Sequence, residues 1–147
     1  TEHRFSFGWD IHEVPILAEL LQQITSRSPY LQTALEGLLG PNPALIEVST
    51  STALEGAQDQ YWHHDLDHLH SALLLGRSFQ HMYSLSIPLQ DTVTTMGSTR
   101  VAPGSHYCAN TFFADGFPVA GNDVWKAGNG LLYHSATVHR GGGHSLG

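Results

Sequence analysis

The segment Gln60-Tyr61-Trp62-His63-His64-Asp65 sets an imidazole and a carboxylate two residues apart. On an extended strand, side chains i and i+2 share a face, so His63 and Asp65 converge while His64 turns away. One neutral imidazole and one ionised carboxylate can then take adjacent positions on a metal ion. A third ligand from a distant strand completes a facial triad and leaves the opposite side of the ion open. Histidine supplies 11 of the 147 residues, and imidazole is the commonest metal-binding side chain. His134, His139 and His144 follow one another at five-residue spacing, and residue chemistry alone does not choose the third ligand among them. A lone H-x-D is weak: it equally describes a hydrogen-bonded surface histidine beside an acid. His68 and His70 repeat the i, i+2 spacing as a competing pair. Ser105-His106 lacks the strand, G-x-S-x-G and helix context of a hydrolase nucleophile.

The elements that must carry these residues divide the chain by pattern. Residues 14–26 read as an amphipathic helix, with Ile16, Leu17, Leu20, Leu21 and Ile24 at helical spacing and Pro15 in the first turn. Residues 30–39 repeat the pattern until Gly40-Pro41 stops it. Both are packing helices with no chemistry of their own. Strand candidates follow at 44–50, 58–65, 82–89, 99–102 and 131–138. The clearest is 82–89, where Tyr83, Leu85, Ile87 and Leu89 alternate with smaller or polar residues. Turns are expected at Met96-Gly97-Ser98, Pro103-Gly104-Ser105 and Gly128-Asn129-Gly130. Helices followed by short strands give an α+β chain, mainly β, whose β part is a sandwich or barrel. No linker divides it, so the expectation is one domain over 1–147, helical over about 1–43 with a β-core over about 44–147.

Composition narrows the partners. Apolar residues make up 41% and charged residues 13%, a globular balance. Thirteen acids against six bases give a net charge of -7, which argues against nucleic acid or an anionic membrane as the partner. No apolar run approaches the ~18 residues of a membrane span. The single cysteine, Cys108, excludes an internal disulfide framework and a cysteine-based zinc site, and fits a reducing, cytoplasm-like compartment. The chain opens at Thr1 and ends inside a glycine-rich stretch, which reads as a piece of a longer protein truncated at its C-terminus.

Three ordered pieces together resemble the phytanoyl-CoA dioxygenase-like family of iron(II)/2-oxoglutarate-dependent oxygenases. Gln60 to Asp65 is similar to that family's aromatic-W-H-x-D strand. Ile87-Pro88-Leu89-Gln90-Asp91, Gly97 and Pro103-Gly104-Ser105-His106 resemble its "P-L … G … PGSH" block. Gly128-Asn129-Gly130-Leu131-Leu132-Tyr133-His134 followed by His139 is similar to a segment with two histidines five apart, the second binding iron. The resemblance covers roughly residues 44–147. It implies a double-stranded β-helix (a jelly-roll, cupin-like core) flanked by helices. It also implies Fe(II) held by His63, Asp65 and His139, 2-oxoglutarate as cosubstrate, and O2 with a small organic molecule as substrates.

This chain departs from the pattern at Asn129, where the family often has Asp, and at His144, where it often has Asn. The family also places a cosubstrate-binding arginine about nine to eleven residues beyond the distal histidine, whereas this sequence ends eight residues after it. Arg140, adjacent to His139, has the wrong direction for that role. Tyr61, Trp62, Tyr83 and Tyr133 are candidates to line a pocket, and core packing accounts for them equally well. His3, His12, His81 and His106 carry no assigned role. Two other classes stand against the oxygenase: a metal-binding cupin-like protein with another task, and a structural protein on a retired oxygenase fold.

Overall fold

The computed structural model describes residues 3–66, 81–107 and 124–145. The 68/70 histidine pair and Cys108 lie outside the described residues. Among those residues, no helix is long and apolar enough to cross a membrane. The chain separates into two compact units, Phe5–Thr52 and Thr1–Arg4 with Ala53–Gly147. Its described residues form a mixed helix and strand structure, with two α-helices and small antiparallel sheets among them.

In the first unit, α1 (Pro15–Arg27) and α2 (Pro29–Leu39) each open on a proline, whose missing N–H is one that no helix start can satisfy internally. Gly40 ends α2 at φ +82° while its N–H bonds to the Glu36 carbonyl. Strands β1 (Arg4–Trp9) and β2 (Val48–Ala53) pair in a two-stranded sheet. β1 is an element that the sequence reading passed over, although Phe5, Phe7 and Trp9 alternate through it. β2 lies a few residues later than the strand expected at 44–50.

The second unit carries the site. β3 (Tyr83–Ser86) pairs antiparallel with β7 (Leu131–His134), β4 (Thr92–Val93) with β6 (Val124–Trp125), and β5 (Thr99–Val101) with β8 (His139–Gly141). The segment expected as a strand over 58–65 lies along the other side of β8. His63 and His139 exchange both backbone hydrogen bonds, and Gln60 N–H bonds to the Gly141 carbonyl. Gly141, Gly142 and Gly143 sit where a Cβ would crowd a neighbour; at Gly142 the obstacle is the Ser98 carbonyl oxygen, 2.8 Å away. The glycine run is thus a packing requirement.

The strand expected over 131–138 is broken. Ser135–Thr137 form a turn, closed by Thr137 N–H to the His134 carbonyl at 2.7 Å, and the chain re-emerges as β8. Residues 135–139 are all buried, down to 0% exposure at Ser135. An apolar, β-branched run made this turn look like continued strand.

Alternation fixes two faces on the 63/139/101 alignment. Ala102 and Val138 form the buried apolar cluster with Trp62 against it, and the Arg140 guanidinium lies 4.7 Å from the Trp62 ring centre. His63, His139 and Val101 belong to the opposite face. Ser105, fully buried in the 3-10 turn Ser105–Tyr107, ties the alignment together. Its hydroxyl donates to the Ala102 carbonyl at 2.6 Å and accepts from Val138 N–H at 2.7 Å. Ser105→Ala leaves the buried Val138 N–H unpaired, while the Ala102 carbonyl keeps the N–H of residue 105, and should lower stability by about 1–3 kcal/mol. Urea unfolding of the two proteins measures this, and an unchanged midpoint would show that the hydroxyl does not hold residue 138 in place.

Candidate metal centre

The bridge between His63 and His139 brings the two imidazoles together, with ring centroids 4.5 Å apart. Asp65 is fixed by a different contact: its N–H, and that of Leu66, bond to the Ser135 carbonyl. The buried turn therefore anchors Asp65 through residue 135 and leads directly into His139. Asp65 Oδ1 lies 3.9 Å from His63 Nε2 and 3.6 Å from His139 Nε2. Among the described residues this is the group of three potential ligands whose donor atoms all lie within 4.8 Å of one another.

The ring orientations decide what these atoms can do. His63 Nδ1 faces the Tyr61 carbonyl at 2.8 Å, and His139 Nδ1 faces the Thr137 carbonyl at 2.9 Å. A carbonyl only accepts, so each Nδ1 carries the proton and each Nε2 of the neutral ring carries the lone pair. Nε2 of both rings and Oδ1 of an ionised Asp65 then present three lone pairs to one another with no proton between them, a repulsive arrangement unless a cation sits among them. Metal–ligand bonds of about 2.1 Å at 90–120° separate donor atoms by roughly 3.0–3.6 Å. The set is thus slightly wider than a closed site and fits a cation with a small inward adjustment.

Burial pushes His139 below the ordinary imidazole range; the Thr137 carbonyl and Asp65 oppose that shift, while His63 and His64 add to it. His139 thus stays neutral and competent to ligate at neutral pH. Its side chain is 7% exposed, against 41% for both His63 and Asp65, so the centre is open on their side. Burial also raises Tyr133, with Asp65 adding to that shift and the Ser84 and Ser86 hydroxyls opposing it. Its ring lies 4.9 Å from that of His139, so Tyr133 brings a protonated hydroxyl to this face. Ser84 was not singled out from the sequence; its hydroxyl makes a long 3.5 Å contact with Asp65 Oδ2 and lies 3.2 Å from the Ser135 hydroxyl.

The other histidines go elsewhere. His134 Nδ1 accepts the Ala136 N–H at 3.1 Å, so its Nε2 carries the proton, and that atom lies 3.4 Å from His81 Nδ1. His106 stacks on Tyr107 nearby, with its ring 5.7 Å from that of His134. His144 turns Nδ1 to the Ala53 carbonyl at 2.8 Å. Arg140 pairs with Asp59 at 3.1 Å and covers Trp62, on the face opposite the cluster.

The His–Asp–His cluster carried between short antiparallel strands is a set of side chains that could hold a metal ion. The phytanoyl-CoA dioxygenase family model matches residues 3–146, and the chain belongs to that family. Comparison with curated proteins finds no match.

Cobalt(II) titration separates the histidines. His63→Ala, Asp65→Ala and His139→Ala should each weaken binding by about a hundredfold or more, while His134→Ala and His64→Ala stay within a few-fold of wild type. A loss in His134→Ala equal to that in His139→Ala would mean that the wrong distal histidine has been chosen.

Proposed function

We propose that this chain is a non-haem iron(II)/2-oxoglutarate-dependent dioxygenase that hydroxylates a small organic substrate, with His63, Asp65 and His139 as the metal ligands. The observation that carries the reading is the convergence of two Nε2 lone pairs and one carboxylate oxygen in a member of the phytanoyl-CoA dioxygenase family. The fold that fits is a double-stranded β-helix core, supported by strands that pair across the sequence, β3 with β7 and β5 with β8.

Iron(II) held there would supply the oxygen chemistry that couples C–H hydroxylation to decarboxylation of 2-oxoglutarate into succinate and carbon dioxide. The chain's own part is binding and orientation. His63 and His139 offer Nε2, and the Tyr61 and Thr137 carbonyls hold both rings in the tautomer that frees it. Asp65 contributes the one negative charge of the donor set. The protonated Tyr133 hydroxyl is a neutral donor on the same face for an oxygen of a bound ligand. The exposed side of His63 and Asp65 is where cosubstrate and substrate would enter. Arg140 does not anchor the cosubstrate carboxylate in this reading, because Asp59 and Trp62 engage it on the other face. Absence of a cosubstrate-binding arginine from the complete protein would favour the runner-up, a cupin-like metal protein that does not use 2-oxoglutarate.

Anaerobic titration with iron(II) and 2-oxoglutarate distinguishes the two. The oxygenase should develop a weak visible charge-transfer band that needs both components and vanishes in Asp65→Ala. Iron binding without that band would remove the hydroxylase assignment.

A further inference from the structure

Three arginines crowd a short stretch of backbone on the far side of β8. The β5–β8 register sets Arg100 directly opposite Arg140, and like charges so placed repel. Arg4 reaches the next residues, with Nη2 donating to the Gly142 carbonyl at 2.6 Å. The Nε of each of the three is buried without a hydrogen-bond partner among the described residues. Among those residues one carboxylate, Asp59, answers them at close range. It is already engaged, with Oδ2 on Arg140 and Oδ1 on the Gly143 N–H. Burial holds Arg4 below its ordinary range, with Asp59 partly offsetting the shift.

Arg100 is the member left over. No carboxylate of the described residues lies within ion-pair distance of it, and it lines a cavity of about 500 Å³. Thr94, Thr95 and Ser145 share that lining and can supply hydroxyl donors; two acids share it as well, Asp59, already engaged with Arg140 and the Gly143 N–H, and Glu55. The volume falls within the roughly 300–1,000 Å³ of small-molecule sites, more than a bare inorganic ion fills. Arg100 stands opposite Arg140 with no carboxylate of the described residues at ion-pair distance, so an anion in the cavity would offset the repulsion between the two guanidiniums. The chain as a whole carries -7, so this basic spot is a local exception and not part of a general positive field.

We propose that this cavity is an oxyanion site, separate from the metal centre, that takes a small organic carboxylate or phosphate against Arg100 with Thr94, Thr95 and Ser145 as neutral donors. It lies on the face of β5–β8 opposite His139, so its occupant does not contact the metal. Glu55 opposes the ligand and limits its affinity.

The test uses cobalt-loaded protein, whose visible spectrum reports separately any anion that goes to the metal. Succinate and inorganic phosphate are titrated by calorimetry against chloride at matched ionic strength; the stronger of the two identifies which oxyanion the site prefers. Binding should exceed that of chloride and leave the cobalt spectrum unchanged. It should fall about tenfold or more in Arg100→Gln, be partly kept in Arg100→Lys and strengthen in Glu55→Gln. Binding no better than chloride for both anions, or unchanged in Arg100→Gln and Glu55→Gln, would overturn the proposal. So would binding that moves the cobalt spectrum. Cobalt affinity in Arg100→Gln should match wild type, which also shows that the variant is folded.

Discussion

Two backbone carbonyls, those of Tyr61 and Thr137, set the chemistry of the histidines two residues beyond them. By accepting the Nδ1 proton they leave Nε2 as the lone-pair atom on both rings. The reciprocal backbone bonds between His63 and His139 then aim both lone pairs at the Asp65 carboxylate. Neither feature suffices alone. The bridge without the tautomer would point an N–H at the acid and make an ordinary hydrogen bond. The tautomer without the bridge would leave two isolated imidazoles.

The buried turn Ser135–Thr137 is the part of the fold on which this depends. One end receives the Asp65 N–H, the other receives the His139 ring, and Ser105 pins residue 138 from the 3-10 turn that follows β5. The Ser of the Pro103-Gly104-Ser105-His106 block thereby gains a physical role: its hydroxyl satisfies the buried Val138 N–H, one residue from a candidate ligand. The same turn sends His134 onto β7, where the Ala136 N–H imposes the opposite tautomer. Five residues of spacing thus separate two imidazoles of opposite hydrogen-bonding character.

Much of the site was legible in the sequence because it rests on local spacing. His63 and Asp65 converge as an i, i+2 pair should, and both helices fall close to their apolar periodicity. The distal histidine was not legible from residue chemistry, since what sets His139 apart from His134 and His144 is its backbone bridge to His63 together with the group that meets each Nδ1, which are tertiary facts. The turn at 135–137 was missed because Ala136, Thr137 and Val138 carry no glycine or proline to mark a reversal. The arginine cluster was invisible for a similar reason. Arg4 and Arg100 lie far apart in sequence, and the β5–β8 register and the glycine run bring them to one stretch of backbone.

The β5–β8 pair thus separates two electrostatic surfaces: imidazoles and one acid on the side of His139, guanidiniums and Asp59 on the side of Arg140. What makes the first a candidate metal centre is the tautomer of its histidines. Long-range proton–nitrogen NMR correlation of the imidazole rings in the metal-free protein at neutral pH, assigned with single histidine variants, observes that tautomer directly. His63 and His139 should show a protonated Nδ1 and a bare Nε2, with His134 showing the reverse. A protonated Nε2 on neutral His63 or His139 would mean that the ring faces the carboxylate as a hydrogen-bond donor, and the cluster would then not be a preformed metal site.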